Sequence, residues 1–291
     1  MNNNCTEVED PYIRYVMSQR PFGWNFTDPP VFKPYEFEKV DPFYWVSLME
    51  DNWKVAFYAA AIYIVAIFGL QKFMENRAPF ELKKPLFVWN LSLGIFSVIG
   101  FVRYVPGFML VLSQPNGFYR SICIKDGMDL PTGYWTLLFA FSKFWELGDT
   151  FYIVLRKRRL VFIQYYHHVV TMIVVWIVGP LVEPISRWYT VLNYGVHSLM
   201  YPYFALRAIG IRVPVFIANL ITFLQLSQMI IGFTVNMTSL YHQQIGNDCI
   251  RYPVSIKAFS LVYGSFILLF GKLFYDSVIK SGRRQKEKKL L

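Results

Sequence analysis

Residues 160–179 read LVFIQYYHHVVTMIVVWIVG, a stretch without Asp, Glu, Lys or Arg. As an α-helix it covers about 30 Å, the thickness of a bilayer's hydrocarbon core, so it is predicted to cross a membrane. Gln164, His167 and His168 lie inside it. Polar side chains at bilayer depth cost several kcal/mol unless they find partners, so their presence there points to a function.

Outward from that segment, apolar runs recur at 53–74, 86–112, 132–155, 188–206, 213–236 and 254–279, making seven predicted spans. The whole chain agrees. Of 291 residues, 55% are apolar, 19% aromatic and 16% charged, against roughly a quarter charged in soluble domains. The fold class is therefore all-α, a polytopic membrane protein with seven transmembrane helices in a domain at 53–279. An amino-terminal segment (1–52) and a basic tail (280–291) flank it. The first of these is polar, proline-rich and aromatic and lacks a cleavable leader pattern, so the first span is expected to direct its own insertion.

Short cytoplasmic loops carry the excess of Lys and Arg. With the amino terminus outside, the cytoplasmic face receives Lys72, Arg77, Lys83, Lys84, the basic run 156–159, Arg207, Arg212 and the tail. That is about sixteen basic residues against about four, Arg120, Lys125, Arg187 and Arg251, in the opposite loops. The net charge of +10 is thus a topology signal, with phosphate binding as a second use. Basic residues scattered at membrane exits do not make a nucleic-acid surface. The final Lys288-Lys289-Leu290-Leu291 resembles a dilysine retrieval signal, so the expected location is the endoplasmic-reticulum membrane, amino terminus lumenal and carboxy terminus cytosolic. On this topology Cys123 and Cys249 occupy lumenal loops that cap the same face, and are expected to pair, with Cys5 left over. Asn4-Cys5-Thr6 and Asn25-Phe26-Thr27 have the form of lumenal glycosylation acceptors.

Residues three and four apart share a helix face, so Gln164, His167 and His168 form one patch, and Lys143, Glu146 and Thr150 another, with Asp149 one step round. Asn193, His197, Met200 and Tyr201 mark the fifth span, and Thr222, Gln225 and Gln228 the sixth. Depth brings them together: from the cytoplasmic ends, His167 and Asp149 lie about 10 Å in, Glu146 and His197 about 15 Å, and Gln225 about 20 Å. Antiparallel spans place their polar groups at one level, which implies a buried site reached from the cytoplasm.

Three chemistries that use histidine compete for such a site. A histidine-rich di-iron oxygenase needs more imidazoles than the four in this chain. A zinc on His167, His168 and His197 has enough ligand atoms, but adjacent helical histidines point roughly 100° apart, so no metal or other cofactor is expected. Nucleophilic or acid–base catalysis by imidazole needs only what is present, with Asp149 or Glu146 orienting a ring.

These residues match a family pattern. Lys143-Phe144-Trp145-Glu146-Leu147-Gly148-Asp149-Thr150 resembles the K-x-x-E-x-x-D-T signature of the very-long-chain fatty-acid elongases, and Gln164-Tyr165-Tyr166-His167-His168 their H-x-x-H-H box. NYGVHSLMYPY, residues 193–203, is similar to their N-x-x-x-H-x-x-M-Y-x-Y, and TFLQLSQ, residues 222–228, to T-x-x-Q-x-x-Q. The four motifs stand in the family's order on four successive spans, and the local wording is most like the branch acting on saturated and monounsaturated chains. One position departs: Gln164 replaces the first histidine of the box.

The resemblance implies that spans two to seven form a helical barrel around an acyl tunnel, with the first span outside. It implies condensation of a long-chain acyl-CoA with malonyl-CoA to a 3-oxoacyl-CoA, with loss of CO₂. His167 and His197 are then candidates to carry the acyl group, with His168 as acid–base or orienting group and Lys143, Glu146 and Asp149 as a supporting ion-paired network. Gln164, Asn193, Met200, Tyr201, Gln225 and Gln228 are expected to bind substrate, and Arg156, Arg159 and Arg207 its phosphates. Partners implied are the bilayer and the ketoreductase, dehydratase and enoyl reductase of the same cycle, with a homodimer left open. A seven-span lipid receptor or transporter is the alternative from another class, and it requires no catalytic motifs at one depth.

Overall fold

The computed structural model describes residues 25–26 and 33–280. Cys5, the sequon at Asn4, Thr27 of the second sequon and the Lys288-Lys289 pair lie outside the described residues. After a 3₁₀ turn at Glu36–Glu38, the helices are α1 (Pro42–Asp51), α2 (Val55–Met74), α3 (Lys83–Ser113), α4 (Gly117–Cys123) and α5 (Leu130–Glu146). They continue as α6 (Gly148–Leu155), α7 (Phe162–Val178), α8 (Ser186–Ala208), α9 (Val215–Gln244) and α10 (Pro253–Phe274). A short parallel pairing joins β1 (Asn25–Phe26) to β2 (Asp126–Met128), the one departure from helix among these elements.

Among the described residues, five helical segments are long and apolar enough to cross a membrane: α2, α3, α7 with its extension to Leu181, α9, and α10 with its extension to Lys280. The chain is an all-α, polytopic membrane protein. The two other expected runs are helical but differ from simple spans, one because it is interrupted and the other because polar residues dilute it. Residues 132–155 are interrupted, with α5 ending at Glu146 and α6 starting at Gly148. α8 has 23 residues, yet Arg187, Asn193, His197 and four tyrosines dilute its apolarity.

Local signals start the helices where they start. The Asp129 carboxylate accepts the Thr132 backbone N–H at 2.8 Å, and Pro131 occupies the first turn of α5. Burial pushes the Asp129 carboxyl up, against the Thr132 hydrogen bonds that favour its ionised form. Pro253 likewise occupies the first turn of α10, there without a side-chain cap.

Neighbouring helices form a closed sequence. α3 packs on α8, α8 on α9, α9 on α10, α10 on α7, α7 on α5, and α5 returns to α3. The α3–α8 contact is close because Gly100 leaves room for the Tyr194 ring; a Cβ there would lie 2.6 Å from it. α2 packs against α6 and α7, outside that sequence.

One end of the bundle is stitched by buried charges and a disulfide. Glu183 and Arg251 are 2% and 6% exposed and pair at 3.1 Å, while the Ser255 hydroxyl donates to Glu183 at 2.6 Å. Arg120 and Arg187 both gather on Asp126. Thus Arg120, Arg187 and Arg251, three of the basic residues on the charge-poor side, are structurally engaged. Glu38, fully buried, receives Arg103 Nε at 2.8 Å and the Trp135 indole at 2.9 Å, which ties the amino-terminal segment to α3 and α5.

Cys123, at the end of α4, is bonded to Cys249 in the α9–α10 connection, 126 residues away. Closing so long a loop restricts the unfolded chain, worth about 5 kcal/mol in the chain-entropy account. The Cys123→Ala/Cys249→Ala variant should therefore melt well below the wild type, and reductant should lower the wild-type melting temperature but not the variant's. Equal melting curves under oxidising conditions would show that the bond contributes nothing.

Candidate active site

The break between α5 and α6 governs what the site looks like. Leu147 closes α5, and the Thr150 N–H reaches the Leu147 carbonyl at 3.3 Å, a tighter turn than an α-helix makes. The face expected from regular spacing is therefore altered beyond Glu146. Thr150 turns outward and accepts the Tyr63 hydroxyl of α2 at 2.6 Å, while Asp149 lines the internal cavity. The expected single network of Lys143, Glu146 and Asp149 is accordingly two clusters, a correction that follows from the break.

In the first cluster, Lys143 is 2% exposed and donates to Glu146 Oε1 at 2.6 Å and to Asn193 Oδ1 at 2.8 Å. Ser142 adds a bond to the same Glu146 oxygen at 3.0 Å. An ammonium can only donate, so it fixes the Asn193 carboxamide with its oxygen towards Lys143. The amide nitrogen then faces His197 Nε2 at 3.1 Å and donates to it. His197 is thereby held with its proton on Nδ1, which lies 3.8 Å from Glu146 Oε1. Hydrogen bonds from Lys143 through Asn193 to His197 thus fix both the carboxamide and the ring, with the Glu146 carboxylate beside the Nδ1 proton.

In the second cluster, Asp149 accepts the Trp89 indole N–H at 2.7 Å and the Tyr201 hydroxyl at 3.0 Å. Its Oδ2 lies 4.0 Å from His168 Nε2, which is also 2.9 Å from the Gln164 side-chain nitrogen. Gln164 thus occupies the histidine position of the motif as a hydrogen-bonding neighbour of His168.

His167 differs from both. Its ring packs on Phe266 at 5.0 Å and Phe270 at 5.8 Å between centroids, and it makes no hydrogen bond among the described residues. Gln228, 6% exposed, has no hydrogen-bond partner among them either. Gln225 directs its amide at the Met200 sulfur, 3.1 Å away, a weak acceptor.

Two chambers meet at these side chains. The larger, of about 610 Å³, is lined by Glu146, Asp149, Gln164, His167, His168, Asn193, His197, Met200, Tyr201, Gln225 and Gln228. Arg156, Arg158 and Arg207 stand in its wall at the end opposite the disulfide. The smaller, of about 110 Å³, is walled mostly by aliphatic and aromatic residues and reaches Glu183 and Ser186. His167, Asn193, Gln228 and Met229 line both, forming the waist between them.

Of the residues expected from sequence, Lys143 sits behind the wall, and Arg159 is exposed and outside the lining, where Arg158 stands instead. Trp89 was not found by sequence reasoning. It lies near the start of α3, where a tryptophan reads as an interfacial anchor, and only the spatial approach of α6 reveals its carboxylate partner.

A chemically useful arrangement results: an unpartnered imidazole at a waist, two further imidazoles each beside a carboxylate, a free carboxamide, and a basic mouth on one side with an apolar chamber on the other. The model of the family described as "ELO: GNS1/SUR4 family" matches residues 48–286. Among curated proteins, the chain is similar to very long chain fatty acid elongase 6 of Drosophila melanogaster, 40% identical over 80% of this chain and 75% of the relative. It is 38% identical to very long chain fatty acid elongase 6 of Gallus gallus over 88% of this chain and 96% of the relative. Long chain fatty acid elongase 1 of Caenorhabditis elegans is 39% identical over 82% of this chain and 83% of the relative.

Proposed function

The chain belongs to the ELO (GNS1/SUR4) family, and on that premise we propose that it condenses a long-chain acyl-CoA with malonyl-CoA through an acyl-imidazole on His167. The observation that carries the mechanism is the His167 ring, free of hydrogen bonds at the junction of both chambers. His197 Nε2 is engaged by Asn193, so its lone pair is the less available of the two.

In the first half-reaction a His167 nitrogen attacks the thioester carbonyl, the C–S bond breaks, and CoA leaves as thiolate that takes up the proton released by the imidazolium. In the second, malonyl-CoA loses CO₂, the enolate carbon bonds to the acyl carbon, and the C–N bond to His167 breaks. The released imidazolate takes a proton from water, and 3-oxoacyl-CoA departs. Gln228 is placed to donate to the developing oxyanion, and Gln225 gives up only a thioether contact to do the same. The small apolar chamber suits the alkyl chain, and Arg156, Arg158 and Arg207 suit the phosphates of CoA. One basic mouth serves both CoA esters in turn, which favours a ping-pong order.

The same reading takes the seven helical runs as spans, six of them as a barrel with α2 outside, and the disulfide end as lumenal in the endoplasmic reticulum. The closed order of neighbours and the charge asymmetry support it. Saturated chains of the C16 class and the three other enzymes of the cycle complete the proposal. Purified protein in lipid nanodiscs should release labelled CO₂ from malonyl-CoA only when palmitoyl-CoA is present, with parallel double-reciprocal lines. Intersecting lines and no acyl adduct would replace the covalent route by a ternary complex, and no CO₂ release with any acyl-CoA would overturn the activity.

A further inference from the structure

We propose that Trp89, fitted against the bare backbone of Gly148, is a positioning residue that holds the Asp149 carboxylate facing His168. The proposal rests on the condensing activity and adds to it a residue outside the four motifs.

The contact is specific in two ways. The Trp89 indole N–H donates to Asp149 Oδ1 at 2.7 Å, leaving Oδ2 for the Tyr201 hydroxyl at 3.0 Å and for His168 Nε2 at 4.0 Å. The carboxylate is thus oriented by two neutral donors on different helices, and its one cation-capable neighbour in this cluster is an imidazole in the cavity wall. The indole reaches Asp149 only because residue 148 has no side chain. A Cβ on Gly148 would lie 2.3 Å from Trp89 Cζ2 and 2.6 Å from Cη2, far inside contact distance. The Gly148 φ is not in the left-handed region, so the glycine is needed here for space and not for backbone conformation. Tyr152, one turn along α6, tilts against the indole at 5.6 Å between centroids and adds to its packing there.

Two neutral donors suit a carboxylate that must answer a changing charge on its neighbour. A fixed cation would cancel the field at His168, whereas indole and phenol orient the oxygens and leave their charge directed at the ring. Asp149 then stabilises His168 when that ring takes a proton during either half-reaction. Trp89 acts through Asp149 and does not touch substrate.

Trp89→Phe keeps an aromatic ring and removes the N–H. It should lower kcat roughly tenfold to a hundredfold, as for other hydrogen bonds to charged groups, with KM for acyl-CoA within about twofold and the melting temperature near that of the wild type. In an Asp149→Asn background the same substitution should cost less than about threefold, because the interaction it serves is already gone. Gly148→Ala should be at least as harmful as Trp89→Phe alone, and should add little in the Trp89→Phe background, where the colliding ring atoms are absent. If Trp89→Phe does not yield monodisperse protein, Trp89→Tyr carries the same cycle. Undiminished kcat in the single variant, or fully additive losses with Asp149→Asn, would make Trp89 an interfacial anchor and overturn the proposal. Wild-type CO₂ release measured in the same preparation separates that failure from failure of the condensing activity itself.

Discussion

His167→Ala should abolish the acyl adduct and reduce condensation by roughly a thousandfold or more, while leaving the melting temperature almost unchanged. Both halves of that expectation come from one fact: among the described residues the ring makes no hydrogen bond that its loss would orphan, and folding loses its ring packing on Phe266, Phe270 and His168. Intact-mass spectrometry after palmitoyl-CoA alone should show a palmitoyl increment on the wild type and none on the variant. His197→Ala should behave differently. It removes the acceptor of the Asn193 amide and leaves Glu146 without its imidazole, so a fall in thermal stability should accompany the fall in rate. An adduct of undiminished yield on His167→Ala would move the acyl group to another residue, with His197, in the wall of the same chamber, the next candidate.

Much of this site was legible in sequence because helices convert spacing into direction. The patch of Gln164, His167 and His168 and the level shared by antiparallel spans follow from a 3.6-residue period and a fixed rise, and the larger chamber gathers those side chains. Regularity is also where the reading stopped. Asp149 and Thr150 exchange faces because the chain tightens at Leu147, and no periodic rule announces a turn inside an otherwise apolar run. Trp89 was invisible for a different reason: its partner is 60 residues away, and the signal is the absence of a side chain at Gly148. Arg158 and Arg159 are adjacent in a basic run, and the cavity wall includes only the first. Conversely, the segments least like ordinary spans, α5 with α6 and α8, are the ones that carry Lys143, Glu146, Asp149, Asn193 and His197. Weak apolarity inside a membrane chain marked function there.

Lys143→Met should lower stability and rate together, and a second substitution should separate the two. The ammonium is buried and bonded to Glu146 and Asn193, so its removal leaves a buried carboxylate without its cation, a loss of about 3–5 kcal/mol. Adding Glu146→Gln removes the orphaned charge. Buried pairs replaced on both sides are often near neutral, so Lys143→Met/Glu146→Gln should regain most of the lost melting temperature. It should not regain activity. Without the ammonium nothing fixes the Asn193 carboxamide, which can turn its oxygen to His197 and draw the ring proton from Nδ1 to Nε2. Nitrogen-15 shifts of labelled histidine should report that exchange of tautomers, with His197 moving and the unpartnered His167 remaining where it was. A double variant that recovers turnover along with stability would reduce the cluster to interhelical glue. A single Lys143→Met variant that melts like the wild type would mean that Ser142 and water carry Glu146 without help, leaving the lysine no structural part.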